Sequence, residues 1–287
     1  MAEQSKKLLG LIQYLVFGMF IFLFLSLISP ISMAAFTEVL EPITLKVQDN
    51  ETVYLGKVGP GQTIDIVVKG EAPEGTGRYN LGGRWQILRI LEIPKGWTGF
   101  NSAEMAIKMK AIVKVAENAP DGEYTIKLRL EEDTTEQQEL GSVTFFAKVK
   151  VSKDVMDSGV VDNRIEAGVG QPARYKIVIV NTGSASDVFE ISSTGVPTWE
   201  FEKAIHIPAG KAITTFYEIV ANEEKEYKPV LTIKSKSSED IIEVHNLQLT
   251  VKSNVIGDII ATKNGVLVFP IILEPLYSLL GIIGYSI

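Results

Sequence analysis

The chain has 287 residues, a formal net charge of −7 and no cysteine. Net negative charge excludes a protein that wraps nucleic acid, because such binding needs a basic face to displace counterions. The lack of cysteine excludes disulfides, thiolate metal sites and a cysteine nucleophile, so an exported domain must hold its fold by packing alone.

The first predicted element is a transmembrane helix. Residues 8–28 carry no charge, and a helix needs about 20 apolar residues to cross a hydrocarbon core. Lys6 and Lys7 precede this run, while Glu38 and Glu41 follow it. Basic flanks stay cytoplasmic, so the bulk of the chain is expected on the extracytoplasmic side of the cell membrane. A cleaved secretory signal is the rival reading, with Ser32, Ala34 and Ala35 as small residues at the cleavage position. The apolar run exceeds the roughly 7 to 15 residues of a usual signal core, which favours an uncleaved signal-anchor.

The body that follows reads as strands. Asn50-Glu51-Thr52 is a formal glycosylation acceptor in a turn. The glycine-rich stretch 75–83 is expected to be a long hairpin or an exposed docking loop. Arg78 and Tyr79 are its partner-contact candidates, because arginine and tyrosine are favoured at interface hot spots; a loop without a partner is the plainer alternative. Tyr124, Ile126, Leu128 and Leu130 alternate with Thr125, Lys127 and Arg129, the period of a strand with one face buried. Val143, Phe145, Ala147, Val149 and Val151 repeat that pattern against Thr144, Lys148 and Lys150, as do Leu247, Leu249 and Val251 against Gln248, Thr250 and Lys252. Between the first two of these strands, the acidic stretch 131–139 reads as a solvated hairpin tip; its spacing does not match a calcium loop. The acidic residues of 154–162 are a weak candidate for an interdomain ion clamp.

The body also repeats. Arg84 and Trp85 open one copy, which runs on to Pro94 and Trp97; Arg174 and Tyr175 open the other, which reaches Pro197 and Trp199. Each copy then continues to a tyrosine strand at Tyr124 or Tyr227. Trp97 and Trp199 are expected to pack in the core or at its edge, with sugar stacking as the minor reading. Strands at short intervals, separated by Gly, Pro, Asn and Asp, predict an all-β fold of two tandem immunoglobulin-like antiparallel sandwiches.

The stretches Gly170 to Gly183, Asp187 to Ile191, Val196-Pro197-Thr198-Trp199 and Ile207 to Gly210, with Asn118 to Leu128 in the first copy, resemble the immunoglobulin-like sandwiches of prokaryotic surface proteins. They are similar to CARDB adhesion-related modules and to the sandwich domains associated with α-galactosidases. That resemblance implies spacer, adhesin or docking roles and carries over no catalytic set. Glu226-Tyr227-Lys228-Pro229 departs from the pattern; its proline predicts an edge strand.

Residues 266–287 form a second apolar stretch, interrupted by Pro270, Pro275 and Glu274. It is long enough to span, but each proline removes a backbone donor. A broken span, a re-entrant hairpin and an interfacial helix are all compatible with it. Glu274 is a partner-contact candidate, since an ionisable group at membrane depth is costly and usually faces a partner or water.

The expected organisation is a cytoplasmic tip and transmembrane signal-anchor in 1–36 and a first sandwich in 37–152. A second sandwich in 153–252 and a linker with the C-terminal membrane segment in 253–287 complete it. His206 and His245 sit in strand patterns, and no nucleophile elbow or phosphate loop is present in the sequence. The expectation is a non-enzymatic, membrane-anchored accessory or scaffold subunit that binds an integral-membrane partner, with no cofactor and no metal. A surface adhesin or carbohydrate-binding module is the first alternative and a cell-envelope spacer the second.

Overall fold

The computed structural model describes residues 36–72, 74, 82–132, 140–197 and 199–253, and every regular element among them is a strand. The two expected membrane segments lie outside the described residues, as do Glu274, Arg78 and Tyr79. Among the described residues no helix is long and apolar enough to cross a membrane.

The first set of strands is β1 (Phe36–Glu41), β2 (Leu45–Gln48), β3 (Glu51–Val58), β4 (Thr63–Lys69), β5 (Glu71–Ala72), β6 (Gly83–Arg84), β7 (Ile87–Glu92), β8 (Thr98–Phe100), β9 (Lys108–Lys114), β10 (Gly122–Glu131) and β11 (Val143–Val151). The second is β12 (Met156–Val160), β13 (Arg164–Ala167), β14 (Pro172–Asn181), β15 (Asp187–Thr194), β16 (Lys203–Ile207), β17 (Ala212–Val220), β18 (Glu226–Tyr227), β19 (Val230–Ser235), β20 (Ile242–Asn246) and β21 (Gln248–Val251). Sheets ordered β2-β1-β4-β9-β8 and β3-β11-β10-β7 enclose one apolar core. Sheets β12-β14-β17, β16-β15-β19-β20 and β13-β21-β18 enclose another. The expected all-β tandem is what the chain builds.

One plan is used twice. The trio β1-β4-β9 has its counterpart in β12-β14-β17, and β7-β10-β11 in β15-β19-β20. In each sandwich an early strand runs parallel to the last one, β3 beside β11 and β13 beside β21. Tyr124 donates its hydroxyl proton to the Pro120 carbonyl at 3.0 Å, and Tyr227 donates to the Glu223 carbonyl at 3.4 Å. Both bonds reach back four residues, as the tyrosine corner of immunoglobulin-like folds does. One part of the sequence repeat is corrected. The strand after Arg84 is β7, which matches β15, whereas Arg174 lies in β14, the counterpart of β4. Both segments begin with a basic residue and an aromatic, but the sheet partners differ.

Period-two alternation built the central strands as expected. Ile126, Leu128 and Leu130 are fully buried in β10, as are Phe145 and Ala147 in the facing β11. Each large aliphatic side chain so buried contributes about 1.5–3 kcal/mol relative to exposure. Thr144, read as water-facing, is instead buried: its N–H donates to Asp49 Oδ1 at 2.8 Å and its Oγ1 accepts from Arg129 at 3.2 Å. Pro229 does not sit within an edge strand. It falls between β18, an edge strand, and β19, an interior strand between β15 and β20. The proline breaks the chain between two sheets, so its missing donor costs neither ladder a bond.

Trp97 is buried in the first core and packs on Tyr124, with centroids 5.2 Å apart. Trp199 is half-buried against the second core. Trp85, which alternation did not single out, is fully buried at the centre of the first core.

Tyr175 lies fully buried in β14, and its hydroxyl donates to the Gln248 carbonyl at 2.9 Å. Burial disfavours the phenolate and pushes its pKa up from 10.0 to about 12. The unfolded chain therefore releases this proton first as pH rises. The stabilisation is complete below pH 10 and declines as pH climbs toward about 12. Urea midpoints measured across that window are expected to fall less steeply in Tyr175→Phe than in the parent, and equal slopes would contradict the assignment.

Candidate functional site

A network of buried polar side chains lies at the joint between the sandwiches. Gly59-Pro60-Gly61-Gln62 turns the chain from β3 to β4, with the Gln62 N–H donating to the Gly59 carbonyl at 3.3 Å. Proline followed by glycine at positive φ, +71° at Gly61, is the residue pair that a type II turn requires. The Gln62 side chain is fully buried. Its Oε1 accepts from Gly59 N–H at 2.8 Å and its Nε2 donates to Asp187 Oδ2 at 2.7 Å.

Asp187 begins β15 and is itself only 4% exposed. Beyond Gln62 it accepts from Ser235 Oγ at 2.6 Å, Ser237 Oγ at 2.7 Å and Val188 N–H at 2.7 Å. Two oxygens thus receive four donors, which fills the acceptor capacity of a carboxylate. Asn181 performs the same service beside it: its amide donates to the Ala185 and Ile207 carbonyls, and its Oδ1 accepts from Gly183 N–H.

Close backbone approach seals the joint. A Cβ on Gly61 would lie 2.0 Å from the Ser237 carbonyl oxygen, and one on Gly56 would lie 2.1 Å from Ser184 Oγ. Ser184 N–H donates to the Lys57 carbonyl at 2.7 Å, while Ala185 packs into the first core. Ion pairs Lys57–Asp154 at 3.2 Å and Lys153–Asp240 at 2.8 Å flank the contact. The hydrogen bond from Lys153 to Asp240, aided by the carboxylate charge, holds the Lys153 pKa above the ordinary lysine value. Asp154, weighed in the sequence as an ion ligand, is committed to Lys57, and no acidic or histidine group suited to a metal occurs among the described residues.

Two smaller constellations lie on the second sandwich. Ser158 on β12 donates its hydroxyl proton to Glu243 on β20, and His245 Nε2 lies 2.8 Å from the same oxygen. A hydroxyl has one proton to give. Both Glu243 and His245 therefore converge on one hydroxyl, and the imidazole tautomer sets the direction of the His245 contact. On the opposite edge a cleft of 590 Å³ is lined by Arg174, Phe201, Lys203, Thr215, Phe216 and Glu218, among others. The Arg174 guanidinium stands 4.8 Å from the centre of the Phe216 ring and pairs with Glu218 at 2.9 Å. Lys203 donates to the Phe216 carbonyl at 2.9 Å, which covers part of the β17 edge.

Of the sequence-predicted site residues, Asn50 is described. It occupies the exposed turn after β2 at φ 61°, with its amide donating to Asp49 Oδ2 at 2.7 Å. Asp187 and Gln62 were missed as a pair because they are 125 positions apart. The Gly-Pro-Gly-Gln turn signature was the local signal available. Glu243 and His245, two apart on one strand, share a face, but Ser158 between them could not be foreseen.

No protein-family model matches the chain. No curated protein matches it either. Among solved structures it is similar to the fibronectin(III)-like modules of Clostridium thermocellum CbhA, at 11% identity and a TM-score of 0.27, covering 76% of this chain and 94% of that one. A chimeric titin Z1Z2 is similar at 13% identity and a TM-score of 0.33, covering 77% and 99%. A Porphyromonas gingivalis protein of unknown function is similar at 12% identity and a TM-score of 0.22, covering 67% and 93%. Likenesses this loose carry no weight for function, and the sandwich architecture rests on the strand pairing itself.

Removing either member of the Gln62–Asp187 bond strands buried donors or acceptors, each at a cost of about 1–3 kcal/mol. A double-mutant cycle with Gln62→Ala and Asp187→Ala is expected to give a coupling energy of about 1 kcal/mol or more by urea unfolding. Additive losses would mean that the two side chains do not act together.

Proposed function

We propose that the chain is a membrane-anchored, extracytoplasmic accessory or scaffold subunit that docks onto an integral-membrane complex. The observation that carries this reading is the joint around Asp187, where hydrogen bonds from both modules tie them together in a way suited to holding position. Apolar stretches on both sides of that body in the sequence supply the means of attachment. Work is done by placement: the terminal segments pack against a partner's helices, and the sandwiches extend over its outer face. The resemblance of the sequence to CARDB-type surface modules suits such a docking role, and the reading requires no cofactor.

A second reading, a carbohydrate-binding adhesin, draws on the cleft beside Arg174, where Phe201 and Phe216 are each 44% exposed. Exposed aromatic faces suit stacking on a sugar ring. A glycan array probed with residues 37–252 would detect it, and loss of any signal in Phe216→Ala would locate it.

Mild-detergent extraction of the native membrane, followed by native sizing and mass spectrometry, tests the scaffold reading. A stoichiometric integral-membrane partner is expected, and deletion of residues 266–287 should shrink the complex. An unchanged complex size after that deletion contradicts the proposal.

A further inference from the structure

β20 leaves one side of its sheet open. The bonds at its two ends set the phase of its ladder with β19: Ser235 N–H donates to the Ile241 carbonyl at 2.9 Å, and Leu247 N–H to the Pro229 carbonyl at 2.8 Å. In an antiparallel ladder alternate residues bond to the neighbouring strand, and the residues between them turn their groups the other way. Ile241, Glu243, His245 and Leu247 therefore bond toward β19, while Ile242, Val244 and Asn246 aim their N–H and C=O groups away from it. Among the described residues only β19 pairs with β20, so those outward groups meet no strand.

Other edges of the molecule are covered. Residues 101–105 lie along β7, where Ser102 N–H donates to the Leu88 carbonyl at 3.0 Å and Met105 N–H to the Gln86 carbonyl at 2.7 Å. Lys203 covers part of β17. Exposed edges are usually blunted by lysine, proline or a bulge. Ile242-Glu243-Val244-His245-Asn246 has none of these, and on its outer face Ile242 is 46% and Val244 54% exposed.

This edge is also complementary to itself. Pairing with a second β20 about a two-fold axis at Val244 sets Val244 against its own copy and Ile242 against Asn246, all through outward-facing backbone groups. The same register sets Glu243 opposite His245 on both sides of the axis, a carboxylate facing a ring that can donate to it. Like charges directly opposite one another destabilise a strand pair, and this register contains none. Ser158 already holds both side chains beneath the edge.

We propose that β20 is a dimerisation edge, at which two copies of this chain join their β16-β15-β19-β20 sheets into one continuous sheet. Backbone bonds supply the attachment and the apolar pair at Ile242 and Val244 is covered as the strands meet. The contact is isologous, so it closes at two copies and does not propagate. This goes beyond the scaffold reading and does not depend on it.

Because the chain has no cysteine, disulfide formation can read the register. Single-cysteine variants of the full-length protein would be oxidised in mild detergent. Val244→Cys is expected to cross-link to itself. Ile242→Cys alone should not, since its two copies stand about 13 Å apart at the strand rise of about 3.3 Å per residue, beyond the roughly 7 Å between Cα atoms that a disulfide bridges. Mixed with Asn246→Cys, it should. Native sizing is expected to give a dimer for the parent and several-fold weaker self-association for Val244→Lys, which sets two ammonium groups at the axis, with the urea midpoint unchanged. A monomeric parent, a dimer that Val244→Lys leaves intact, or no cross-link at Val244→Cys would overturn the proposal. Cross-linking of Val244→Cys to a different protein in native membranes would mean that the edge receives a foreign strand, and would overturn the second copy as its occupant.

Discussion

A carboxylate can be buried only where its lone pairs are met, and Asp187 meets that requirement by drawing on two sandwiches at once. Ser235, Ser237 and the Val188 N–H come from its own module, but the fourth donor, Gln62, comes from the other. Separating the modules would leave a buried acceptor short and a buried amide unpaired. Low local polarity makes each such loss expensive. The joint is therefore held by these shared hydrogen bonds, and the close approaches at Gly56 and Gly61 leave no room for a side chain at either position.

That constraint orders the rest of the molecule. Each sandwich has a core built by alternation along its strands, and each is closed by a parallel pairing to its last strand.

Much of the fold was legible because strands with one dry face write period two into the sequence. The runs at Tyr124 to Leu130 and at Val143 to Val151 could hardly be read otherwise, and they became the central β10 and β11. Thr144 broke the rule because Asp49 and Arg129, distant in sequence, offered it partners in the interior. Arg84 and Arg174 were matched as equivalents because a basic residue followed by an aromatic marks both sequence segments; sheet order, which no local pattern encodes, separates them. Asp187 was not legible as a keystone, since its partners lie 125, 48 and 50 positions away. Glycines and a proline announced the turn at Gly59 to Gln62, yet not what the turn would touch.

The central claim is that the two sandwiches move as one body. Spin labels at Lys69→Cys and Asn222→Cys in the otherwise cysteine-free chain, read by double electron–electron resonance, test it most directly. The account predicts one narrow distance distribution, broadened when Asp187 is replaced by alanine. A broad or two-peaked distribution in the parent protein would mean that the joint is a hinge, and would contradict it.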